Sequence, residues 1–299
     1  MPSRKVKPTK SLTAPTTTDN MQPQVSFPFG RYTSVAGVHT SLLTFSALFL
    51  PSTPLPNFLQ HHPSDPVSRD PLHLLTANPA RTVAWMCGGA VILQAWWASW
   101  LRTWTLETRN LNKGAKDGSA EQTRQKLERR DWNSGRLAAF GDAALLTLGA
   151  SVIFHVMVIL FGAPISSHPL HTYFLSLLLA LLTVFPSAYT LGPPSQGSDT
   201  ASLVARMTWV RLFAELSPRT PIERAVVYPA VGAVLGCWVG PFQLGSTGNV
   251  LGRCAWPLTP AYGAITGFIL GSLIALVTSA STEFAQAEMV AQAEKLKRV

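Results

Sequence analysis

The side chains best placed to do chemistry sit in one short turn, FGAPISSHPLH, residues 161–171. His168 and His171 stand three apart across a helix start and can share one face there, a spacing that suits two ligands of a metal ion. A zinc site needs a third ligand. His61, His62, His73, Asp65, Asp70 and Cys254 lie on the same side of the topology drawn below, and spacing selects none of them. The plainer reading is a hairpin turn: Gly162 and Pro164 end one helix, Pro169 opens the next, and Ser167 or His168 caps it. On that reading Phe161, Gly162, Pro164, His168, Pro169 and His171 are contact residues rather than ligands.

Asp142 and His155 form a second candidate pair, because both fall inside one long apolar run and an ionisable group within the bilayer is a functional candidate. Thirteen residues of helix turn them about 220° apart and set them about 20 Å apart, so they make no dyad. Asp142 lies near the end of the run beside Arg136, where reaching water is the preferred explanation. The chain has no G-x-S-x-G elbow, H-E-x-x-H, P-loop or dinucleotide-binding fingerprint. It looks poorly equipped to catalyse alone, and no cofactor is expected.

The elements that carry these residues are apolar helices. Hydrophobic residues make up 47% of the chain and charged residues 13%, and the apolar residues come in blocks. Six blocks are long enough to cross a hydrocarbon core of about 30 Å, near residues 33–50, 82–101, 137–162, 169–191, 225–244 and 258–279. The first is the weakest, being short and containing His39, and its loss would invert the side of the N-terminus. The fold class expected is therefore an all-α integral membrane protein with about six transmembrane helices. Residues 1–32 read as a disordered tail, 33–279 as the membrane domain with polar connections at 102–136 and 192–224, and 280–299 as a second tail. The amino end has no apolar core after its basic residues and does not read as a cleavable signal peptide.

Of the 24 Lys and Arg, 21 fall in alternate connections and tails and 3 in the others. That bias predicts both termini in the cytosol. The net charge of +9 thus reflects topology and anionic lipid rather than nucleic acid. Cys87 and Cys237 fall within spans and Cys254 in the last lumenal loop, so no disulfide is predicted. Trp96, Trp97, Trp100 and Trp104, with Arg102 among them, read as an interfacial belt with a basic stop.

The 102–136 connection predicts a short solvated helix around Glu121 to Arg130. In ASLVARMTWVRLFAEL, Leu203, Met207, Val210 and Ala214 recur at helical spacing, so this helix can lie in the cytosolic interface until Pro218 and Pro221 break it. Gly232, Gly236 and Gly240 repeat every four residues, as do Gly263, Gly267 and Gly271. Each set makes a flat groove that lets a backbone approach closely, whether that of the neighbouring helix, a partner helix or a lipid chain. The end of the chain, KLKRV, carries Lys295 and Lys297 in an arrangement that resembles a dilysine retrieval signal to the endoplasmic reticulum.

Two stretches carry a family resemblance: HVMVILFGAPISSHPLHTYFLSLLLALLTVFPSAYTLG and TWVRLFAELSPRTPIERAVVYPAVGAVLG. They resemble the PIG-F family of glycosylphosphatidylinositol (GPI) anchor biosynthesis, in its fungal-type form, over roughly residues 137–279. The first two spans match only in placement. The resemblance implies a multi-pass endoplasmic reticulum protein without catalytic activity of its own. It would bind and stabilise a large catalytic subunit, the ethanolamine phosphate transferase that adds phosphoethanolamine to mannose of the GPI precursor. Family members tend to carry a D-W-D type segment in the last lumenal loop before W-P. In QLGSTGNVLGRCAWPLTP, Trp256 and Pro257 remain and the acids do not, so no role of those acids, and no reading of residues 243–255, is carried over. Two other readings stand beside this one: a small lipid transporter or scramblase using Asp142, His155 and the glycine grooves, and an integral-membrane transferase with the lumenal histidines on a metal.

Overall fold

The computed structural model describes residues 28–51, 78–114, 135–163, 169–194, 197, 199–246 and 256–297. Among them the regular structure is helical throughout: α1 (Phe29–Leu48), α2 (Pro79–Gly114), α3 (Arg136–Leu160), α4 (Pro169–Leu191), α5 (Thr200–Phe213), α6 (Pro221–Ser246) and α7 (Leu258–Lys297). Four of these are long and apolar enough to cross a membrane: α3, α4, the Pro221–Gly240 part of α6, and α7. The chain is thus a helical membrane protein. α1 and α2 fall below that hydropathy, α1 through its Gly, Ser, Thr and His39 and α2 through Gln94 and its tryptophans. Both are nonetheless packed into the same bundle. The threonine hydroxyls of α1 are returned to its own backbone, with Thr33 donating to Phe29 O, Thr40 to Ala36 O and Thr44 to Thr40 O, which satisfies them without water.

α4 is the central element. In its apolar window 78% of residues are buried inside the protein, against 17% in α3, because α4 meets α2, α3, α6 and α7 while α3 packs extensively only on α4. The stripe Ala143, Thr147, Ser151 of α3 faces inward, and Leu145, Val152, Ile153, Val156 and Leu160 point out. The main core gathers Leu43, Met86, Leu178, Leu182, Ala233, Ile265 and Phe268 from α1, α2, α4, α6 and α7.

Neighbouring contacts define the two ends of the bundle. At one end Arg31 lies over Trp100 at 4.7 Å and Arg102 over Tyr189 at 4.8 Å. There too Phe140 meets Tyr189, and Arg224 donates to Thr282 Oγ1 at 2.7 Å. At the other end Tyr262 donates to Ala47 O, Cys87 to Phe174 O, and His155 meets Tyr173. The six long helices therefore alternate in direction through one bundle.

Three features depart from the sequence reading. α2 continues to Gly114, into the segment expected as a polar connection, while the helix expected around Glu121 to Arg130 lies outside the described residues. α7 runs 40 residues without interruption, about 60 Å. Beyond residue 279 its sequence STEFAQAEMVAQAEKLK is rich in helix-forming Ala, Glu, Gln and Lys and lacks Gly and Pro. Lys295 is exposed near its end, and Lys297 is its last residue. Finally, Trp97 and Trp104 are covered rather than outward-facing: α1 lies over that face of α2, and both pack on Tyr32.

Candidate interaction site

The turn singled out by its histidines closes α3 by backbone bonding. Phe161 N–H donates to Met157 O, Gly162 N–H to Ile159 O, and Ala163 N–H to Val158 O. Gly162 sits at φ +98°, a conformation that favours glycine. Phe161 is exposed. Pro164 and His168 lie outside the described residues, so the pairing of His168 with His171 is not placed. Pro169 opens α4 at the surface and His171 is half-buried on its first turn. One residue on, the buried Thr172 Oγ1 accepts a hydrogen bond from Trp256 Nε1 at 3.3 Å, which ties the W-P turn to the start of α4. Among the described residues no three His, Cys, Asp or Glu side chains come together in a metal-binding group.

Asp142 is exposed on α3, whereas His155 is half-buried and set edge-on to Tyr173 at 5.9 Å. The structure does not bring the two together.

The glycine sets are brought together. α6 and α7 cross as antiparallel neighbours with Gly232 against Gly267 and Gly271, Gly236 against Gly263 and Gly267, and Gly240 against Thr259 and Gly263. A Cβ added to Gly240 would stand 2.7 Å from Thr259 O, and at the other five glycines the overlap with facing backbone is tighter still. Each helix thus fills the other's glycine face. On the outer side of this seam an apolar groove of about 400 Å³ remains, floored by Gly232, Gly236, Gly267 and Gly271.

At the α6 end of the groove a polar network holds the preceding loop. Glu223 Oε1 and Oε2 accept from Arg211 at 2.6 and 3.2 Å, and Oε2 also accepts from the N–H groups of Arg219 and Thr220. Glu223 N–H donates back to Thr220 Oγ1. This is a capping box, T-x-x-E, at the start of α6, and the negative charge suits a helix N-terminus. Arg211 Nη1 also donates to Ser217 O. The hydrogen bond to Glu223 raises the Arg211 pKa above its ordinary value against the opposing effect of burial. Reading SPRTPIERA only for its prolines missed this network, although the Thr-to-Glu spacing was there to be read.

With this geometry in place, comparison with known proteins assigns the chain. The pattern described as "GPI biosynthesis protein family Pig-F" matches residues 67–276. The chain belongs to that family. The match covers α2 to the membrane-crossing part of α7, and so extends back past the region where motif resemblance was evident. This Pig-F family member is 34% identical over 128 residues to "Glycosylphosphatidylinositol anchor biosynthesis protein 11" of Pyricularia oryzae, covering 43% of this chain and 42% of that one. A Neurospora crassa protein of the same name is 30% identical over 132 residues, covering 44% and 43%. The Homo sapiens "GPI ethanolamine phosphate transferase, stabilizing subunit" is 23% identical over 141 residues, covering 47% and 59%. The chain thus spans roughly half the length of the curated relatives it matches. No solved structure matches.

Proposed function

We propose that this chain is a non-catalytic membrane subunit that binds and stabilises an ethanolamine phosphate transferase, supporting transfer of phosphoethanolamine to mannose of the GPI precursor. The observation that carries the proposal is membership of the Pig-F family together with human and mouse relatives named as the stabilizing subunit of that transferase. The structure supports it with a surface suited to docking: α3 is held by one inner stripe and turns most of its apolar side chains outward, so a partner helix can lie along it without reordering the core. The finer reading is a multi-pass protein of the endoplasmic reticulum. It has six crossings, including α1 and α2, both ends on the cytosolic side, and contact with membrane lipid. The alternating helix directions and the arginines Arg31, Arg102, Arg136, Arg206, Arg211, Arg219 and Arg224 on one side of the bundle are consistent with this topology.

The test is purification of the tagged full chain in mild detergent, with analysis of GPI intermediates after its depletion. Recovery of a large transferase subunit and accumulation of precursors lacking late phosphoethanolamine are the expected results. A chain recovered alone, with normal intermediates after depletion, would refute the reading.

A further inference from the structure

We propose that the groove on the outer side of the α6–α7 seam holds one acyl chain of a glycerophospholipid, with the lipid phosphate on Arg219. The inference stands independently of the subunit reading. Its first support is the lining. Val227, Val231, Leu235 and Val239 of α6 and Leu270 and Ile274 of α7 wall a slot of about 400 Å³ whose floor is glycine backbone. Because glycine leaves no side chains across the floor, the slot is continuous, and an unbranched chain can lie in it along its length. The second support is its reach. Val227 to Val239 is twelve residues of helix, about 18 Å, close to half of the roughly 30 Å hydrocarbon core. That is the depth of one leaflet, whereas a partner's spanning helix needs a track through both.

The third support is charge. Leu216, at φ +50°, closes the groove at its α6 end, in the loop pinned by the Glu223 network. In that loop Arg211 is committed to Glu223 and Ser217 O. Arg219 is three residues from Leu216 and exposed, and its guanidinium has no partner among the described residues. Arg219 thus brings a positive charge to the loop that contributes Leu216 to the slot, and a guanidinium complements a lipid phosphate in charge and in its fork of donors. α5 lies on the same side and exposes Leu203, Val204, Met207 and Val210, as expected of a helix resting in the headgroup region.

The test uses the full chain in phosphatidylcholine vesicles that contain a trace of phosphatidylcholine with a diazirine in one acyl chain. After illumination, labelled positions are mapped by peptide mass spectrometry. Val152, Ile153 and Val156 on the outer face of α3 are exposed and report contact with bulk lipid. The expected result is labelling at Val231, Leu235 and Leu270 several-fold above those α3 positions. Leu235→Trp, which fills the slot, and Arg219→Gln should each lower the groove labelling several-fold while α3 labelling is unchanged. That unchanged labelling also reports that the variants are folded. Groove labelling equal to that of α3, or unaffected by both substitutions, would overturn the proposal. So would cross-linking of a partner protein's helix at Leu235 with exclusion of the lipid.

Discussion

Glu223 concentrates more of the local structure on one side chain than any residue flagged from the sequence. It receives Arg211 and two backbone N–H groups, and its pair with Arg211 is 14% exposed on the Glu223 side and 20% on the Arg211 side. Glu223→Gln removes the charge-assisted bonds and should destabilise the folded chain by about 1.5–3 kcal/mol. Thr220→Ala, which removes one arm of the capping box, should cost about 1 kcal/mol. Thermal unfolding in detergent measures both, and equal stability of Glu223→Gln and the parent would contradict the assignment. Trp256→Phe keeps the ring bulk and loses the bond to Thr172, for an expected loss of about 1 kcal/mol. These residues were legible as types, not as partners. His168 and His171 are close in sequence, whereas the bond that ties the W-P turn to the start of α4 joins Trp256 to Thr172, which are 84 residues apart.

At the scale of elements, the α6–α7 pair and α3 make opposite predictions. In the seam the backbones touch, so Gly236→Leu drives a side chain into Gly263 and Gly267. Overpacking of this kind costs about 1–3 kcal/mol and can cost more when only backbone can yield. The expected outcome is a chain that aggregates or loses its folded fraction in size-exclusion chromatography. On α3, Ile153→Trp changes only an outward-facing position, whereas Ser151→Trp enters the fully buried stripe against α4. Ile153→Trp should retain parental thermal stability and recover less transferase subunit, while Ser151→Trp should lose stability itself. Unchanged recovery with Ile153→Trp would remove that face as the docking surface. Element type was legible here because runs of 20 or more apolar residues and four-residue glycine spacing are local signals. Which side of α3 is covered depends on what α4 presents to it, and no local signal carries that.

For the whole molecule, the alternation of helix directions is itself testable. In a chain whose three cysteines are replaced by alanine, Ser217→Cys and Lys295→Cys should react with a membrane-impermeant thiol reagent from the same side of sealed microsomes. Phe161→Cys, at the opposite end of the bundle, should react from the other side. Reaction of Ser217→Cys and Phe161→Cys from one side would refute the six-crossing topology. This test bears most on α1 and α2, whose hydropathy falls below that of the other four. Their place in the bundle rests on tertiary contacts: Tyr32 and His39 of α1 on Trp97 of α2, and His39 on Phe268 of α7.

By itself the sequence determined that the chain is helical, that it is built for a bilayer, and which family it resembles. Those properties reside in apolar run length, glycine spacing and contiguous motifs, all of which are read along one segment at a time. Only the tertiary structure decided that the glycine faces of α6 and α7 fill each other and that α4 is the hub. It also decided that two tryptophans of the expected belt are covered by α1. Each of those outcomes depends on which surface of a distant helix arrives opposite, and burial of an apolar or glycine face pays only through that match. The 161–171 segment shows the division clearly: its glycine and prolines announced where α3 stops and α4 starts, while the partner that holds α4 there, Trp256, comes from 84 residues further along the chain than Thr172.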